Sequence, residues 1–259
     1  MPRRPGLLLA LAAAALSALA ASTAAPAQTW PEREQAAIRY VEKRAGVESF
    51  AFVDDRGRVR AYRGYRVVPS ASMLKAILLV AYLRRQSVRA RDLRKADRRL
   101  LGPMIKWSDN ATATRVLDIV GATALYRLAD RADFRHFRLR SPWGLTEITA
   151  RDQARFFYRI DSFVPRRHRT YALTLLNRIV PSQRWGIPRA RPQGWTIHFK
   201  GGWGSGTGWV THQAALLRRG DDRLAVAVFT RFNPSHSYGT RTIRGVARRL
   251  LRTPLPLAP

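Results

Sequence analysis

The sequence predicts an α+β domain in which an antiparallel sheet carries helices on both faces. Segments with strand-like alternation fall into two groups, one near each end of the chain, and short turns join neighbouring strands. A long helical stretch separates the two groups, and amphipathic helices lie at both ends. We therefore expect the terminal helices to cover one face of the sheet and the helical stretch to form a lobe on the other.

The start of the chain has the features of a secretory signal peptide. Two arginines precede residues 7–21, which are leucine and alanine except for one serine, and an A-x-A cleavage site ends at Ala27. The apolar run is too short for a typical membrane span. We expect residues 1–27 to be removed, and residues 28–259 to form a single domain that is secreted to the periplasm or cell envelope.

Composition restricts the chemistry and the partners of this chain. There is no cysteine, which excludes a thiol nucleophile and a disulfide framework. The formal charge is +30, but the basic residues are scattered and no nucleic-acid-binding motif is present, so nucleic acid is not an expected partner. Anionic polymers of the cell envelope are the candidate counterpart of this charge.

The first half of the chain contains most of the predicted helices. Trp30 begins an amphipathic helix, and two strands follow around a turn at residues 54–58. Gly121 is expected to end one of the later helices. The predicted helices are 30–45, a helix from Ser72, 91–106, 111–120 and 122–132, and the predicted strands are 49–53 and 59–67.

The second half contains most of the predicted strands. Residues 133–148 have no clear periodicity, and Thr149 is the expected N-cap of the next helix, with Asp152 in its first turn. Residues 181–194 are rich in proline, glycine and arginine and are expected to form a surface loop. The predicted helices are 149–162, 166–179 and 236–251, and the predicted strands are 195–199, 209–217 and 224–231.

A serine and a lysine at the start of the apolar helix suggest an activated nucleophile. Ser72 and Lys75 are three residues apart and would share one helical face. A desolvated amine beside a hydroxyl is a known way to activate a weak nucleophile. Only five of the 47 basic residues are lysine, so Lys75 stands where the chain otherwise uses arginine, which cannot lose its proton. The alternative is that Ser70 or Ser72 only caps the helix.

Two further motifs follow Lys75 along the chain. Ser108-Asp109-Asn110 precedes a predicted helix, where all three residue types also make good caps. Lys200 and two glycines end a predicted strand, and these glycines would let a ligand lie against the strand backbone. The five histidines form no closely spaced pair, so no metal site and no cofactor are predicted.

S-x-x-K, S-D-N and K-x-G, in this order, resemble the motifs of the penicillin-recognising serine hydrolases, and most closely those of the class A β-lactamase-like (β-lactamase/transpeptidase-like) family. The resemblance covers essentially the whole chain after residue 27. It implies a sheet of about five strands, a helical lobe inserted at about residues 72–194, and an active site in the cleft between them.

The resemblance also implies a role for each motif residue. Ser72 would be the acylated nucleophile, Lys75 its general base and Ser108 a proton relay. Lys200 would supply positive potential for a substrate carboxylate. Asn110, Gly201, Gly202 and Trp203 would bind substrate, and the backbone N–H groups of Ser72 and Trp203 would form the oxyanion hole.

Two departures from the family pattern affect the expected activity. Gly201 stands where the family usually has threonine or serine, which removes a hydroxyl that commonly contacts the substrate carboxylate. The loop that carries the deacylating glutamate in class A β-lactamases is missing between Asn110 and Thr149. Glu147 is the only glutamate in that segment, and it lies beyond the usual position.

The sequence thus predicts a secreted, monomeric serine hydrolase of the β-lactamase/D,D-peptidase type. It would act on an amide or ester such as a cell-wall (peptidoglycan) peptide or a β-lactam, with slow deacylation. Two alternatives stay open. One is true class A β-lactamase turnover, with Glu147 or Lys75 handling deacylation. The other is a catalytically silent module of the same fold that binds the envelope through its arginines.

Overall fold

The computed structural model describes residues 28–206 and 208–258, so the predicted signal peptide lies outside the described residues. Within these ranges, no helix has both the length and the apolar character needed to cross a membrane. The strands are β1 (Val47–Val53), β2 (Val59–Tyr62), β3 (Val67–Pro69), β4 (Glu147–Thr149), β5 (Thr196–Gly204), β6 (Val210–Arg219) and β7 (Asp222–Arg231).

Five strands form one antiparallel sheet in the order β2-β1-β7-β6-β5, which confirms the predicted architecture. The short strands β3 and β4 pair separately. The α-helices are α1 (Trp30–Val41), α2 (Leu74–Arg84), α3 (Gln86–Arg89), α4 (Lys95–Lys106), α5 (Asn110–Val120), α6 (Ala122–Arg131), α7 (Ala150–Tyr158), α8 (Ile160–Phe163), α9 (Arg169–Asn177) and α10 (His236–Leu250). Single 3₁₀ turns lie at Ala71–Met73, Trp143–Leu145, Arg166–His168, Pro181–Gln183 and Ile187–Ala190.

Successive side chains of β6 point to opposite faces of the sheet, and their contacts show which elements cover each face. Thr211 lies under Gly239 of α10, where an added Cβ would come within 2.6 Å of the Thr211 hydroxyl. His212 points to the opposite face, and its Nε2 lies 3.0 Å from the carbonyl oxygen of Pro69, just before the 3₁₀ turn that carries Ser72. The terminal helices α1 and α10 pack together and cover the first face. The turn that precedes α2 therefore meets the second face.

Helix α2 is the centre of the structure. Every residue from Leu74 to Leu83 is buried, including Lys75, so the helix is surrounded by other elements on all sides. A helix of this kind holds its first turn rigidly, because the whole helix is fixed by packing. One hydrophobic core joins α2 to the sheet, α1, α7 and α10.

Several predicted boundaries are wrong, and local packing explains two of them. The predicted strand 59–67 is divided, because Arg63 adopts a left-handed φ of 49° and β3 leaves the main sheet. Gly64 follows, where an added Cβ would lie 2.6 Å from the Ala61 Cβ, so the chain can fold back this tightly only with glycine there. The predicted helix 149–162 is interrupted at Arg159, which separates α7 from α8.

Other differences concern the ends of elements. The helix expected from Ser72 starts as a 3₁₀ turn, and α2 begins at Leu74. The strand expected to end at Phe199 continues to Gly204, so Lys200 lies inside β5. The segment 133–148 contains the 3₁₀ turn Trp143–Leu145 and the start of β4. Gly121 and Thr149 do end and cap their helices as predicted.

Candidate active site

Ser72 lies in the 3₁₀ turn that connects β3 to α2. Ala71 precedes it with a left-handed φ of 44°, which turns the chain sharply before the helix. Neither Ser70 nor Ser72 caps the helix through its side chain, so the alternative of a simple N-cap is wrong. The Ser70 hydroxyl instead donates to the carbonyl oxygen of Ala71, at 3.1 Å. The Ser72 hydroxyl is left to face Lys75.

Lys75 lies at the centre of the predicted constellation. Its Nζ is 3.0 Å from Ser72 Oγ, 3.1 Å from Ser108 Oγ and 2.7 Å from Asn110 Oδ1. It also donates to the carbonyl oxygen of Ser108. The side chain is fully buried, and the ring of Trp143 lies over the amine at 5.1 Å. One amine thus connects the first two motifs.

Burial lowers the pKa of Lys75 from 10.5 to about 7, and the nearby carboxylate of Asp109 offsets part of this effect. A substantial fraction of the amine is therefore neutral at neutral pH. A neutral amine within hydrogen-bonding distance of a hydroxyl can accept its proton.

The S-D-N motif joins α4 to α5, and its three residues face different ways. Asp109 is the N-cap of α5, where its carboxylate accepts from the backbone N–H of Thr112 at 2.7 Å. Ser108 has a left-handed φ of 59°, which turns its hydroxyl towards the two lysines. Asn110 is the first residue of α5, and its amide oxygen accepts from Lys75. The capping role applies to Asp109 alone.

Lys200 enters the site from the sheet. Its Nζ is 3.0 Å from Ser108 Oγ and 2.7 Å from the carbonyl oxygen of Gly201. The side chain is fully buried, and burial together with the neighbouring Lys75 lowers the pKa of Lys200 well below its ordinary value. Ser108 therefore bridges the two amines. The structure brings Ser72, Lys75, Ser108 and Lys200 into one hydrogen-bonded cluster.

The glycines after Lys200 allow two close approaches. An added Cβ on Gly202 would lie 2.8 Å from the backbone nitrogen of Ser72, so β5 packs directly on the turn that holds Ser72. An added Cβ on Gly201 would lie 3.1 Å from two ring carbons of Trp185. The ring of Trp185 thus fills the space beside Gly201 in which a side-chain hydroxyl would otherwise stand.

Glu147 is engaged away from this cluster. Its carboxylate accepts from Arg140 Nε at 2.8 Å and lies 2.8 Å from His136 Nε2. These hydrogen bonds lower the pKa of Glu147 below its ordinary value, and the bond from Arg140 has a larger effect than the bond from His136. The carboxylate is therefore held ionised in an ion pair at the rim of the small sheet formed by β3 and β4.

An open cavity of about 580 Å³ leads to Ser72. Its walls come from the 3₁₀ turn Trp143–Leu145 on one side and from Trp203 and Val210 on the other. Asn110 also lines it, and none of the described lining residues is charged. A substrate can thus reach Ser72 Oγ between two aromatic side chains.

Sequence reasoning missed the aromatic residues that shape this cleft. Trp185 packs edge-on against Trp203 at 5.9 Å and against His236 at 5.2 Å. Trp143 donates from Nε1 to Thr114 Oγ1 at 3.0 Å, which holds its ring near Lys75. Trp143 and Trp185 come from segments between regular elements that have no periodic signal, so no pattern indicates that these two of the seven tryptophans lie near the cleft. Over the ranges described, no group of histidine and acidic residues is arranged to hold a metal ion.

Comparisons with solved structures show the same fold. A β-lactamase from Sphaerobacter thermophilus DSM 20745 is 22% identical, with a TM-score of 0.73 over 87% of this chain and 97% of that chain. An ancestral class A β-lactamase is 20% identical, with a TM-score of 0.74 over 84% and 98%. PBP-A is 20% identical, with a TM-score of 0.72 over 88% and 97%, and one mutant of it was solved as an acyl-enzyme complex with penicillin G.

A search of curated proteins finds no match. The family model for the β-lactamase enzyme family matches residues 93–253, which is well over half of the sequence and includes the S-D-N and K-x-G motifs. With the matching fold, this match shows that the chain belongs to the β-lactamase enzyme family.

Proposed function

We propose that this protein is an exported serine hydrolase of the β-lactamase/D,D-peptidase type that is acylated at Ser72. The observation that supports this most directly is the buried amine of Lys75, which contacts Ser72 Oγ, Ser108 Oγ and Asn110 Oδ1. A lysine that only lies at the surface, or only forms a structural ion pair, has no need to be buried beside a serine hydroxyl.

In the acylation step, Ser72 Oγ attacks the carbonyl carbon of an amide or ester while the neutral Lys75 amine takes the hydroxyl proton. The backbone N–H groups of Ser72 and Trp203 stabilise the oxyanion that forms. The carbonyl re-forms as the bond to the leaving nitrogen or oxygen breaks. Ser108 passes its hydroxyl proton to that atom and receives the proton that Lys75 had accepted. The leaving group therefore departs neutral, Lys75 becomes neutral again, and Ser72 keeps the acyl group as an ester.

Release of the acyl group is proposed to be slow. Hydrolysis of the ester needs a base that activates water, and the only glutamate of the relevant segment is bonded to Arg140 and His136. Lys75, the amine that contacts Ser72 Oγ, is then left to activate water without a carboxylate.

Cell-wall peptides and β-lactams are the proposed substrates, because both present a carbonyl for acyl transfer and related structures are named as β-lactamases and as an acyl-enzyme with penicillin G. The predicted signal peptide supports a location outside the cytoplasm for the proposed reaction. This location also separates the strongly basic chain from nucleic acid.

Stopped-flow mixing with a chromogenic cephalosporin tests this function. We expect a burst of about one equivalent of opened lactam per protein, followed by much slower turnover, and no burst in Ser72→Ala. Fast turnover without a burst would favour true class A β-lactamase activity. Equal rates in the wild type and Ser72→Ala would rule out acylation at Ser72 by this substrate. If no serine-directed probe acylates Ser72 either, the silent binding module would be the better description.

A further inference from the structure

A second cavity, outside the cleft, is lined mainly by arginine. It has a volume of about 350 Å³ and lies between the C-terminal end of α2, the short helix α3 and one face of α6. Among the described residues that line it there is no carboxylate, and Gln86 has the only uncharged polar side chain. The arginines that line it are Arg84, Arg85, Arg89, Arg127 and Arg131.

Helix geometry explains why these side chains converge. Arg127 and Arg131 are four residues apart on α6 and therefore share one face. Arg85 and Arg89 are spaced in the same way around α3. Leu125 and Leu128, both buried, hold α6 against α2, so the two arginine-bearing faces cannot move apart without exposing the core.

Three of these arginines are unpaired among the residues that the structure describes. The guanidinium groups of Arg89, Arg127 and Arg131 make no hydrogen bond or ion pair with a described residue, although all three are exposed. Arg84 is half-buried and donates to the carbonyl oxygen of Phe163 at 2.8 Å. Its pKa is lowered by burial and by the like charges of Arg131 and Arg89. The cluster thus carries repulsion that no acidic residue of the lining offsets.

Eight of the described arginines make ion pairs with acidic residues, and none of the cavity arginines is among them. Arg91, two residues beyond Arg89, makes an ion pair with Asp97 at 2.7 Å. Arg155 pairs with Asp133 at 2.5 Å and Arg223 with Asp161 at 2.7 Å. Acidic residues are scarce in this chain, and none of them is among the described residues that line this cavity.

We propose that this cavity binds a compact anion with several phosphate groups. Guanidinium groups present planar pairs of N–H donors that match phosphate oxygens, and several together can neutralise a multivalent anion. The volume lies at the lower end of the range for small-molecule sites, about 300–1,000 Å³, which suits a short phosphate chain or a phosphorylated headgroup. Binding would remove the repulsion among the arginines. This site is independent of the proposed chemistry at Ser72.

Calorimetric titration of the protein with inorganic tripolyphosphate tests the proposal, at about 0.15 M salt so that long-range attraction is screened. The cavity variant is Arg89→Gln/Arg127→Gln/Arg131→Gln. The matched control is Arg39→Gln/Arg56→Gln/Arg248→Gln, which removes the same charge from exposed arginines outside the lining. We expect saturable binding of one ligand per protein, weakened at least about 10-fold in the cavity variant and changed less than about 3-fold in the control.

Equal weakening in both variants would overturn the proposal, because it would show attraction to the overall charge and not to a site. Absence of saturable binding by the wild type would also overturn it. Thermal unfolding of both variants checks that the fold is retained. Flotation with vesicles that contain cardiolipin, whose headgroup carries two phosphates, compared with vesicles of phosphatidylcholine alone, separates the two sources of phosphate. Cavity-dependent flotation indicates a lipid headgroup, and tripolyphosphate binding without flotation indicates a soluble anion.

Discussion

Lys75 and Lys200 are the two fully buried lysines, and both reach the hydroxyl of Ser108. A chain that uses arginine at nearly every basic position keeps lysine at these two sites. Arginine keeps its proton under all ordinary conditions, whereas a desolvated lysine can lose it. The scarcity of lysine in the sequence is therefore informative, because it limits the candidates for a titratable amine to five positions, and burial separates Lys75 and Lys200 from the other three.

The first prediction concerns the pH dependence of acylation. Lys75 must be neutral to accept the Ser72 proton, and its pKa is about 7. The fraction of neutral amine rises with pH through that value, so the single-turnover rate of acylation should rise across neutral pH and level off above it. Stopped-flow acylation with a chromogenic substrate over this range measures the profile.

Lys75→Arg provides the matched test of this interpretation. Its guanidinium stays protonated, so acylation should fall by at least about 100-fold and lose its rise near neutral pH. Lys43→Arg makes the same change at an exposed lysine and should behave as the wild type. A profile that is flat in the wild type, or a Lys75→Arg variant that keeps its rate, would contradict the assignment of Lys75 as the base.

At the level of elements, the site depends on contact between strand β5 and the 3₁₀ turn before α2. Sequence patterns could predict that these elements exist, because each has its own periodicity and its own motif. They could not predict that β5 continues to Gly204, since consecutive glycines carry no alternation. They also could not place Trp143, Trp185 and His236, whose positions depend on loop paths and on long-range packing.

The second prediction tests the close approach at Gly202. An added Cβ would lie 2.8 Å from the Ser72 backbone nitrogen, and backbone cannot move aside without shifting the nucleophile. Gly202→Ala should therefore lower the acylation rate by about 100-fold, which is the typical cost of a shift of about 1 Å in a catalytic group. Gly204→Ala, two residues on in the same strand, has open space around its Cβ and should keep the wild-type rate. Equal rates in the two variants would show that the contact does not position Ser72.

The third prediction concerns Gly201 and the ring that covers it. Gly201→Thr introduces a Cβ at 3.1 Å from Trp185, together with further atoms, so it should lower the free energy of unfolding by about 1–3 kcal/mol. In a Trp185→Ala background the same change should cost much less, because the space is then empty. Denaturant unfolding of the two single variants and the double variant measures this coupling. Additive effects would mean that the ring does not exclude a side chain at position 201.

At the level of the whole molecule, burying the two amines of the site lowers the free energy of unfolding.

The antiparallel sheet and the order of its flanking helices could be predicted from element order and turn lengths, which are visible in the sequence. The ring contacts of the cleft and the arginine cavity could not, because both arise where distant segments meet. Arg127 and Arg131 line the cavity because α6 packs on α2, a contact between segments that are distant in the sequence.

The fourth prediction is that Lys75 makes stability depend on pH. Its pKa is about 7 in the folded protein against an ordinary value of 10.5. Between these values the unfolded chain holds a proton that the folded protein lacks, so stability should rise with pH, by up to about 1.4 kcal/mol per unit for one proton. Below about pH 7 both states are protonated, and the full destabilisation is present.

Replacing Lys75 with methionine removes this proton linkage. Lys75→Met should therefore be more stable than the wild type at pH 7, and its free energy of unfolding should rise less steeply between pH 7 and 10.5. Exposed Lys43→Met should leave both quantities unchanged. Chemical denaturation across this range checks both, and a wild-type slope that survives in Lys75→Met would show that other groups cause it.

The most direct test of the central claim is intact-protein mass spectrometry after incubation with a penicillin and with serine-directed activity probes, followed by peptide mapping. We predict a stable mass addition of one acyl group per molecule, located on Ser72, and no addition in Ser72→Ala under the same conditions. An adduct on another residue, or no covalent addition to the wild type under any of these probes, would contradict acylation at Ser72.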